Sequence, residues 1–264
     1  MQQTIPETNY EIIVCNDGGD RAVSALCKKY IVKEVLIFPN KGSYYARNRG
    51  VGEATGEYIA FLDADICVPE HWLELGMNAL QSADYIGGPV IIDNREVRTP
   101  AHYYEFITGF KENNSGIDVG FFVTANLFIK RIVFNQVGGF DDRLRSGGDN
   151  EFGMRVLKAG TFRRNFIKEL AVLHPPRGFR KLVKKRVRIA EGKLKLNRLY
   201  PDRYCYKFSS PGSLIARLVV PPRPSSVKKT FSENNHFGFL SYYLFMWYFK
   251  IRVSIGLIWL LLKK

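Results

Sequence analysis

The chain has 264 residues, 46% of them hydrophobic, which is enough for a large core and excludes global disorder. Its formal net charge of +14 favours anionic partners such as nucleotides, anionic lipid or nucleic acid, without choosing among them. The four cysteines are scattered without a Cys-x-x-Cys pair. This argues against a zinc site or a disulfide framework and favours reduced thiols in a cytosolic setting.

Segments typical of strands and helices alternate over residues 11–92. The predicted strands cover residues 11–15, 32–38, 58–65 and 85–92, and the predicted helices cover about 22–30, part of 40–56, and 69–81. Pro69 opens the third helix at a position where proline is tolerated, and Gly56 is expected to end the second. This alternation predicts an α/β fold with a mostly parallel central sheet flanked by helices.

The chain from residue 93 to 173 is expected to be less regular. Residues 99–115 predict a loop with a short helix, and residues 121–160 predict a strand, a short helix, glycine turns and a helix that begins near Asp149. A strand around residues 164–173 then leads to His174. From Arg177 to Lys207 there are 12 basic and two acidic residues, which predicts a surface facing solvent or an anionic membrane.

Residues 237–262 are intensely apolar and aromatic. Lys250 and Arg252 leave apolar runs of 12 and 10 residues, and neither run crosses a bilayer by itself, because a span takes about 20 residues. An interfacial or hairpin-like membrane segment and a helix packed on its own domain or on a second subunit all fit this pattern. We therefore expect one domain over residues 1–207 and a C-terminal extension over 208–264. The first residues lack the basic and apolar regions of a secretory signal, which predicts a cytoplasmic chain.

Two carboxylates end the third predicted strand. Asp63 and Asp65 follow the apolar residues YIAFL, and ligands of α/β sheets bind beyond the carboxyl ends of the strands. Carboxylates together with phosphate and water suit Mg²⁺ or Mn²⁺, which would neutralise a diphosphate leaving group. The alternative is two turn acids in solvent. Asp17 ends the first strand, either to accept hydrogen bonds from a base or ribose or only to form an Asp-Gly turn.

Further candidates lie near predicted helix starts and strand ends. Arg47 suits a phosphate or ribose; alternatively, its helix only packs through small residues and leaves its cations in water. Asp149 is suited to take a proton from an acceptor hydroxyl as well as to cap a helix, and Glu151 is expected to hold a loop. His174 is either a ligand of the metal or a core or loop histidine.

Together these segments resemble the inverting family 2 glycosyltransferases of the GT-A fold. The segment EIIVCNDGGD is similar to the family's EIIVVDDGSxD, and NKGSYYARNRGVGEATGEYIAFLDADICVPEHWLE is similar to NxGxxxARNxGxxxAxGxYIxFLDxDDxxxPxxL. The segment GGFDDRLRSGGDNEFGMRVLKAG is similar to GGFDExFxxGxEDxEFxxRLxxxG, and LHPPRGF resembles the family's histidine after a strand. The segments occur in order over roughly residues 2–195, and their combination is highly specific although each piece alone is not.

The resemblance implies a reaction and roles for individual residues. An acceptor hydroxyl would attack the anomeric carbon of a nucleotide-sugar such as a UDP- or GDP-sugar, with inversion and release of a nucleoside diphosphate with Mn²⁺ or Mg²⁺. Asp17 would contact the base, and Asp63 would contact ribose or metal-bound water. Asp65 would bind the metal, and Asp149 would be the catalytic base.

Three departures from the family pattern matter. Gly148 stands where the family often has Glu. The Q-x-x-R-W signature of processive polysaccharide synthases is absent and KKRVRIAEG stands in that region, which predicts one sugar per encounter. Residues 2–14 match the segment after the family's first strand, so that strand is expected to be lacking. Its loss from the middle of the sheet would leave neighbouring strands unpaired and weaken donor binding.

We therefore expect a metal-dependent, non-processive glycosyltransferase near the cytoplasmic membrane face that builds a surface polysaccharide or glycolipid of the cell envelope. The alternative, motivated by the lacking strand, is a catalytically impaired relative that binds a nucleotide or a partner without turnover. Nucleic acid is not an expected partner, because no RNA- or DNA-binding motif accompanies the charge and the aromatic residues cluster in the apolar tail. Specificity is expected to lie in residues 92–119 and in the C-terminal region.

Overall fold

The computed structural model describes residues 3–110, 120–231 and 237–262, so part of the predicted loop 99–115 lies outside the described residues. The chain forms two compact units. The first comprises Met1–Ile91 and Glu112–His174, and the second comprises Ile92–Lys111 and Pro175–Lys264. All the candidate site residues lie in the first unit. The division into domains at residue 207 remains a prediction.

The first unit begins with a parallel pair of strands. β1 (Ile13–Asp17) pairs with β2 (Lys33–Ile37), and α1 (Arg21–Lys29) connects them. The carboxylate of Asp20 caps α1 by accepting a hydrogen bond from the Ala22 N–H at 2.8 Å, which satisfies a donor that the first helical turn would otherwise leave unpaired. The strand–helix–strand order of residues 11–38 is therefore as predicted.

α2 (Ser43–Glu53) packs on this strand pair. Ala46 is buried with residues of β2, and a Cβ on Gly50 would lie 2.8 Å from the sulfur of Cys15 in β1. Only a residue without a side chain allows this approach. The helix that carries Arg47 is thereby held directly against the strand that ends in Asp17.

A four-stranded sheet lies in the core of the first unit. Its order is β3 (Tyr58–Leu62), β6 (Asn126–Lys130), β4 (Tyr85–Gly87) and β7 (Arg164–Phe166). β6 runs antiparallel to β3 and β4, whereas β4 runs parallel to β7. The first four residues of β6 are all buried, because helices and loops cover both faces of this strand.

Two of the predicted strands are each divided in the structure. The predicted strand 85–92 consists of β4 and β5 (Val90–Ile92), separated by Gly88 and Pro89, and the predicted strand 164–173 consists of β7 and β8 (Val172–His174). Pro89 has no N–H for a sheet ladder, which favours a break at this point. β5 and β8 form a two-stranded sheet of their own, and His174 is the last residue of β8.

Within the described residues, β1 pairs only with β2, and β3 pairs only with β6. The parallel pair and the four-stranded sheet are therefore separate. This break separates the strand that ends in Asp17 from the strand that precedes Asp63. It lies in the middle of the expected sheet, where the family's first strand was expected to be lacking.

Aromatic side chains pack around the helices of the first unit, α3 (Trp72–Ser82), α5 (Arg131–Val137) and α6 (Gly148–Ala159). Trp72 lies on the ring of Phe128 at a centroid distance of 4.6 Å. Phe152 of α6 lies 4.6 Å from Phe140 between ring centroids and is fully buried. This packing fixes the start of α6, where Asp149 lies.

The second unit consists mainly of helices, which are α4 (Pro100–Thr108), α7 (Phe179–Leu199), α8 (Pro211–Val219), α9 (Pro224–Lys228) and α10 (Phe239–Leu262). The predicted apolar C-terminal helix is confirmed as α10, which is long and apolar enough to cross a membrane by length and composition alone. One side of α10 is buried in aromatic clusters with α4, α7 and α9.

A buried carboxylate joins α4 to the start of α7. Glu105 accepts hydrogen bonds from the Arg177 guanidinium at 2.8 Å and from the Lys185 ammonium at 2.9 Å. Burial by itself raises the pKa of Glu105, but the two cations outweigh this effect, so its pKa lies below the usual value. The carboxylate therefore stays ionised and stabilises the second unit.

Candidate active site

The carboxylate of Asp17 holds the loop that precedes α2. It accepts hydrogen bonds from the backbone N–H groups of Lys41 and Gly42, each at 2.7 Å, and from the side chain of Asn40 at 2.9 Å. Gly42 has a φ of 103°, which favours glycine at this turn. A carboxylate offers about four acceptor positions, so this loop leaves about one for another donor.

Arg47 and Asp63 form an ion pair between α2 and the end of β3. The Arg47 Nη2 lies 2.6 Å from the Asp63 Oδ1, and both side chains are only partly exposed. The guanidinium also lies over the ring of Tyr44, 5.6 Å from its centroid, in a favourable cation–π arrangement. A positive charge is thereby fixed beside the carboxylate at the strand end.

Asp65 and His174 meet across two segments that are distant in the sequence. The peptide groups of Cys67 and Leu173 exchange two hydrogen bonds, at 2.8 and 2.9 Å, and so hold the turn after β3 against β8. The Nε2 of His174 consequently lies 3.4 Å from the Asp65 Oδ2. The imidazole is buried, whereas the side chain of Asp65 is 54% exposed, so the pair opens to solvent on the carboxylate side.

The spacing of this pair fits a shared divalent cation. Two adjacent ligands of an octahedral ion at about 2.1 Å lie about 3.0 Å apart, close to the 3.4 Å between the Asp65 and His174 atoms. The described residues contain no group of three His, Cys, Asp or Glu side chains that could hold a metal.

Asp149 is the second residue of α6, and its side chain is partly buried. The Oδ1 accepts hydrogen bonds from the Asn150 N–H at 3.0 Å and from the Tyr44 hydroxyl at 3.3 Å. Burial raises the pKa of Asp149, and the Asn150 N–H, the charge of Arg47 and the Tyr44 hydroxyl offset only part of that effect. A carboxylate with a raised pKa is a stronger base than an ordinary aspartate, which suits it to general-base chemistry.

Tyr44 is the site residue that the sequence did not reveal. A Cβ on Gly148 would lie 2.7–2.8 Å from three atoms of the Tyr44 ring, so this ring fills the space that a side chain at position 148 would need. The departure from the family pattern at Gly148 was the available signal, but it could not say which residue fills the space. Burial and the charge of Asp149 raise the pKa of Tyr44, so its hydroxyl stays protonated and donates to the carboxylate.

The carboxylate of Glu151 forms an ion pair within α6, unlike that of Asp149. Its buried carboxylate pairs with Arg155 one helical turn later, at 2.9 Å. The guanidinium of Arg155 in turn donates to the carbonyl groups of Val137, Gly138 and Gly139. Glu151 therefore holds the glycine loop after α5, as expected, and is not available to a substrate.

The contacts divide the six predicted site residues, together with Tyr44, into three groups. One cluster contains Tyr44, Arg47, Asp63 and Asp149, and a second contains Asp65 and His174. Asp17 forms the third group with the loop of residues 40–42. Every one of these residues belongs to the first unit, where they lie at or after strand ends, in the first half of α2 and at the start of α6.

The α/β fold of this chain is that of GT-A glycosyltransferases. The solved structures with the same fold support this class. They include the mannosyltransferase PcManGT from Pyrobaculum calidifontis in complex with GDP-Man and Mn²⁺, with a TM-score of 0.58 and 15% identity over 97% of this chain and 80% of that chain. S. aureus TarS 1–349 in complex with UDP has a TM-score of 0.50 and 17% identity over 73% of this chain and 58% of that chain.

The chain belongs to glycosyltransferase family 2. The sequence model of that family, described as "Glycosyl transferase family 2", matches residues 1–138. Among curated relatives, the glycosyltransferase AglE of Haloferax volcanii is 31% identical over 201 residues, which are 74% of this chain and 66% of AglE. The chain thus spans just under two thirds of the length of this relative.

Proposed function

We propose that this chain is a metal-dependent, inverting glycosyltransferase that moves one sugar per encounter from a nucleotide-sugar to a hydroxyl acceptor. The observation that carries the proposal is the partly buried Asp149 carboxylate, held by Tyr44 and the Asn150 N–H and with a raised pKa, in the same unit as the Arg47–Asp63 and Asp65–His174 pairs. A base, a fixed cation and a pair of potential metal ligands are the parts that displacement of a diphosphate requires.

The proposed donor is a UDP- or GDP-sugar. The complexes of TarS with UDP and of PcManGT with GDP-Man support a nucleotide-sugar donor, although they share only the fold with this chain. Asp17 keeps about one acceptor position, which suits a donor group of the base. Arg47 and Asp63 would then lie at the ribose and the phosphates.

Asp65 and His174 would hold Mn²⁺ or Mg²⁺. When bound, the ion would neutralise the charge of the departing diphosphate. Family membership and the Mn²⁺ complex of PcManGT support this cofactor, as does the 3.4 Å separation of the two side chains.

Asp149 would act as the base of a single displacement. It would take the proton of the acceptor hydroxyl as that oxygen forms a bond to the anomeric carbon. The bond between the anomeric carbon and the diphosphate oxygen would break on the opposite side, which inverts the configuration. Tyr44 and the Asn150 N–H would fix the Oδ1 of Asp149, so that the Oδ2 takes the proton.

The proposed acceptor is a glycan or a lipid-linked sugar of the cell envelope, at the cytoplasmic face of a membrane. Support comes from the apolar helix α10 and from the high positive charge of the chain. The absence of the Q-x-x-R-W signature from the sequence supports transfer of a single sugar.

Isothermal titration of the full chain with UDP and GDP, with and without Mn²⁺, tests the site. Metal-dependent binding should be lost in Asp65→Ala and kept in Glu57→Ala, the control, whose exposed carboxylate lies before the opposite end of β3. Asp149→Asn should bind the nucleotide but release no nucleoside diphosphate from a sugar donor. Equal binding by the Asp65→Ala variant and the wild type would contradict the metal site.

A second candidate is a catalytically impaired relative that binds a nucleotide or a partner without turnover. The break between the β1–β2 pair and the four-stranded sheet favours it, because the proposed donor-binding residues lie on both sides of that break. A folded wild-type chain that binds neither nucleotide, or that binds one without turnover of any tested donor, would support this second candidate.

A further inference from the structure

The positive charge of this protein belongs to one of its two units. The first unit has 16 basic and 19 acidic residues, a formal charge of −3. The second unit has 23 basic and six acidic residues, a formal charge of +17. The excess of cations therefore lies outside the unit that holds the proposed nucleotide site.

The second unit also exposes an apolar stripe. Six large apolar side chains of α10 are between 47% and 79% exposed: Leu240, Leu244, Tyr248, Ile255, Trp259 and Leu262. At 3.6 residues per turn these positions fall within an arc of about 100°. We call this face the α10 stripe. An exposed helix face of a soluble protein is normally polar, so an apolar stripe of six turns marks a surface that contacts a membrane or another protein.

The neighbours of α10 exclude a helix that crosses the bilayer in this arrangement. α7 packs along α10, where a Cβ on Gly256 would lie 2.5 Å from Val187, and α7 carries nine basic residues and one acidic residue. A spanning α10 would draw these cations into the hydrocarbon. Arg252 is exposed and lies near the middle of α10, where a lipid-facing charge is most costly for a spanning helix.

A helix parallel to the membrane plane meets none of these objections. Its stripe would lie at the boundary between headgroups and acyl chains, and Arg252 would reach the phosphates. Tyr248 and Trp259 suit this depth, because their rings are apolar with one polar group. The cations of the second unit would lie near the headgroups, where each basic residue strengthens binding to anionic lipid.

α8 covers a different side of α10 from the stripe. It packs against α10 through Leu214, which lines a small cavity with Leu257, Leu260 and Leu261. On its other side α8 exposes Ile215, and Val219 and Val220 at its end are also exposed. The ammonium of Lys250 donates to the Val220 carbonyl at 3.1 Å and thereby fixes the end of α8 on α10.

We propose that the α10 stripe is a monotopic docking surface that binds an anionic membrane with α10 in the plane of the bilayer. The occupant is the lipid surface and not a second copy of the chain, because a unit of formal charge +17 repels its own copy and attracts anionic headgroups. This extends the membrane contact of the proposed function, but lipid binding needs neither nucleotide nor turnover.

Vesicle flotation of the full chain tests the proposal. The partition coefficient for vesicles of phosphatidylcholine with about 30% phosphatidylglycerol should exceed that for pure phosphatidylcholine at least about tenfold at about 0.1 M salt. Ile255→Glu and Trp259→Glu should each lower the partition into anionic vesicles about tenfold. Ile132→Glu is the matched control: this isoleucine is 49% exposed on α5 of the first unit, against 47% for Ile255, and its replacement should change nothing.

Other outcomes would overturn the inference. Partition that is equal for the wild type and both stripe variants would show that the α10 stripe does not touch lipid. Retention on vesicles after alkaline carbonate washing would indicate a spanning helix. A dimer in sedimentation velocity that is lost in Ile255→Glu, without vesicle binding by the wild type, would assign the stripe to a second copy. Titration of the same variants with nucleotide shows whether nucleotide binding is lost together with lipid binding or independently of it. A failure of the membrane proposal can thereby be told from a failure of the proposed function.

Discussion

The hydrogen bond from Tyr44 to Asp149 gives a quantitative prediction for Tyr44→Phe. The hydroxyl lies 3.3 Å from the Oδ1, a long distance for such a bond, so we assign it about 1 kcal/mol, below the usual range of about 1.5–3 kcal/mol for a charged partner. Its loss destabilises the aspartate anion and should raise the pKa of Asp149 further, by about 0.7 unit at 1.36 kcal/mol per unit. The ring remains, so the packing against Gly148 is kept.

The sign follows from the role of the base. Asp149 must be ionised to accept a proton, so activity should fall as the pH drops through its pKa, which burial already holds above the ordinary range. In Tyr44→Phe this acidic limb of the kcat/KM profile should move to higher pH by about 0.5–1 unit. The kcat on the plateau should fall about fivefold, because the carboxylate loses one of the groups that orient it.

The assay is the release of nucleoside diphosphate from an accepted sugar donor, followed across the acidic and neutral range. Tyr58→Phe is the control, because the Tyr58 hydroxyl accepts a hydrogen bond from Gln81 at an exposed position, 3.1 Å away. An unchanged acidic limb in Tyr44→Phe, or an equal shift in the control, would refute the assignment of Tyr44 as a positioning residue for Asp149.

Two further predictions concern stability. Gly148→Ala should lower the free energy of unfolding of the first unit by about 1–3 kcal/mol in chemical denaturation, because its Cβ would overlap the Tyr44 ring, whereas Gly52→Ala, with no atom within 4 Å of its Cβ, should be neutral or stabilising. Glu105→Gln should destabilise the second unit by about 3 kcal/mol at neutral pH, because it leaves two partly buried cations without their carboxylate. Since the pKa of Glu105 is lowered from 4.5, the stabilisation is complete above that value, and the difference between wild type and variant should shrink as the pH falls below it. A difference that persists unchanged at low pH would contradict the ion-pair explanation.

Much of the fold could be predicted because its signals are local. The apolar runs, the turn residues and the glycines after residue 145 gave the order of strands and helices, and placed Asp17, Asp63 and Asp149 at strand ends or a helix start. Apolar runs do not indicate which strands will pair with each other in a sheet. The division of residues 85–92 into β4 and β5 therefore became visible only with their different partners, β6 and β8.

For the candidate site, too, the sequence predicted the local features and the tertiary structure decided the contacts. By itself, the sequence determined which side chains can carry the chemistry: carboxylates after apolar strands, an arginine in α2 and a histidine after the last strand. Only the tertiary structure decided which of them act together. It brought Tyr44 to Asp149 across 105 positions of the chain, and it let the peptide bridge between Cys67 and Leu173 bring His174 to Asp65.

The sequence also determined that residues 237–262 are apolar and that the chain is strongly basic. It could not determine which face of the C-terminal helix would be buried, because this helix carries apolar side chains on every face. Packing against α7 and α8 selected one face for the protein and left the α10 stripe exposed. The physical reason is that burial depends on neighbours far apart in the chain, whereas composition and periodicity describe only the helix itself.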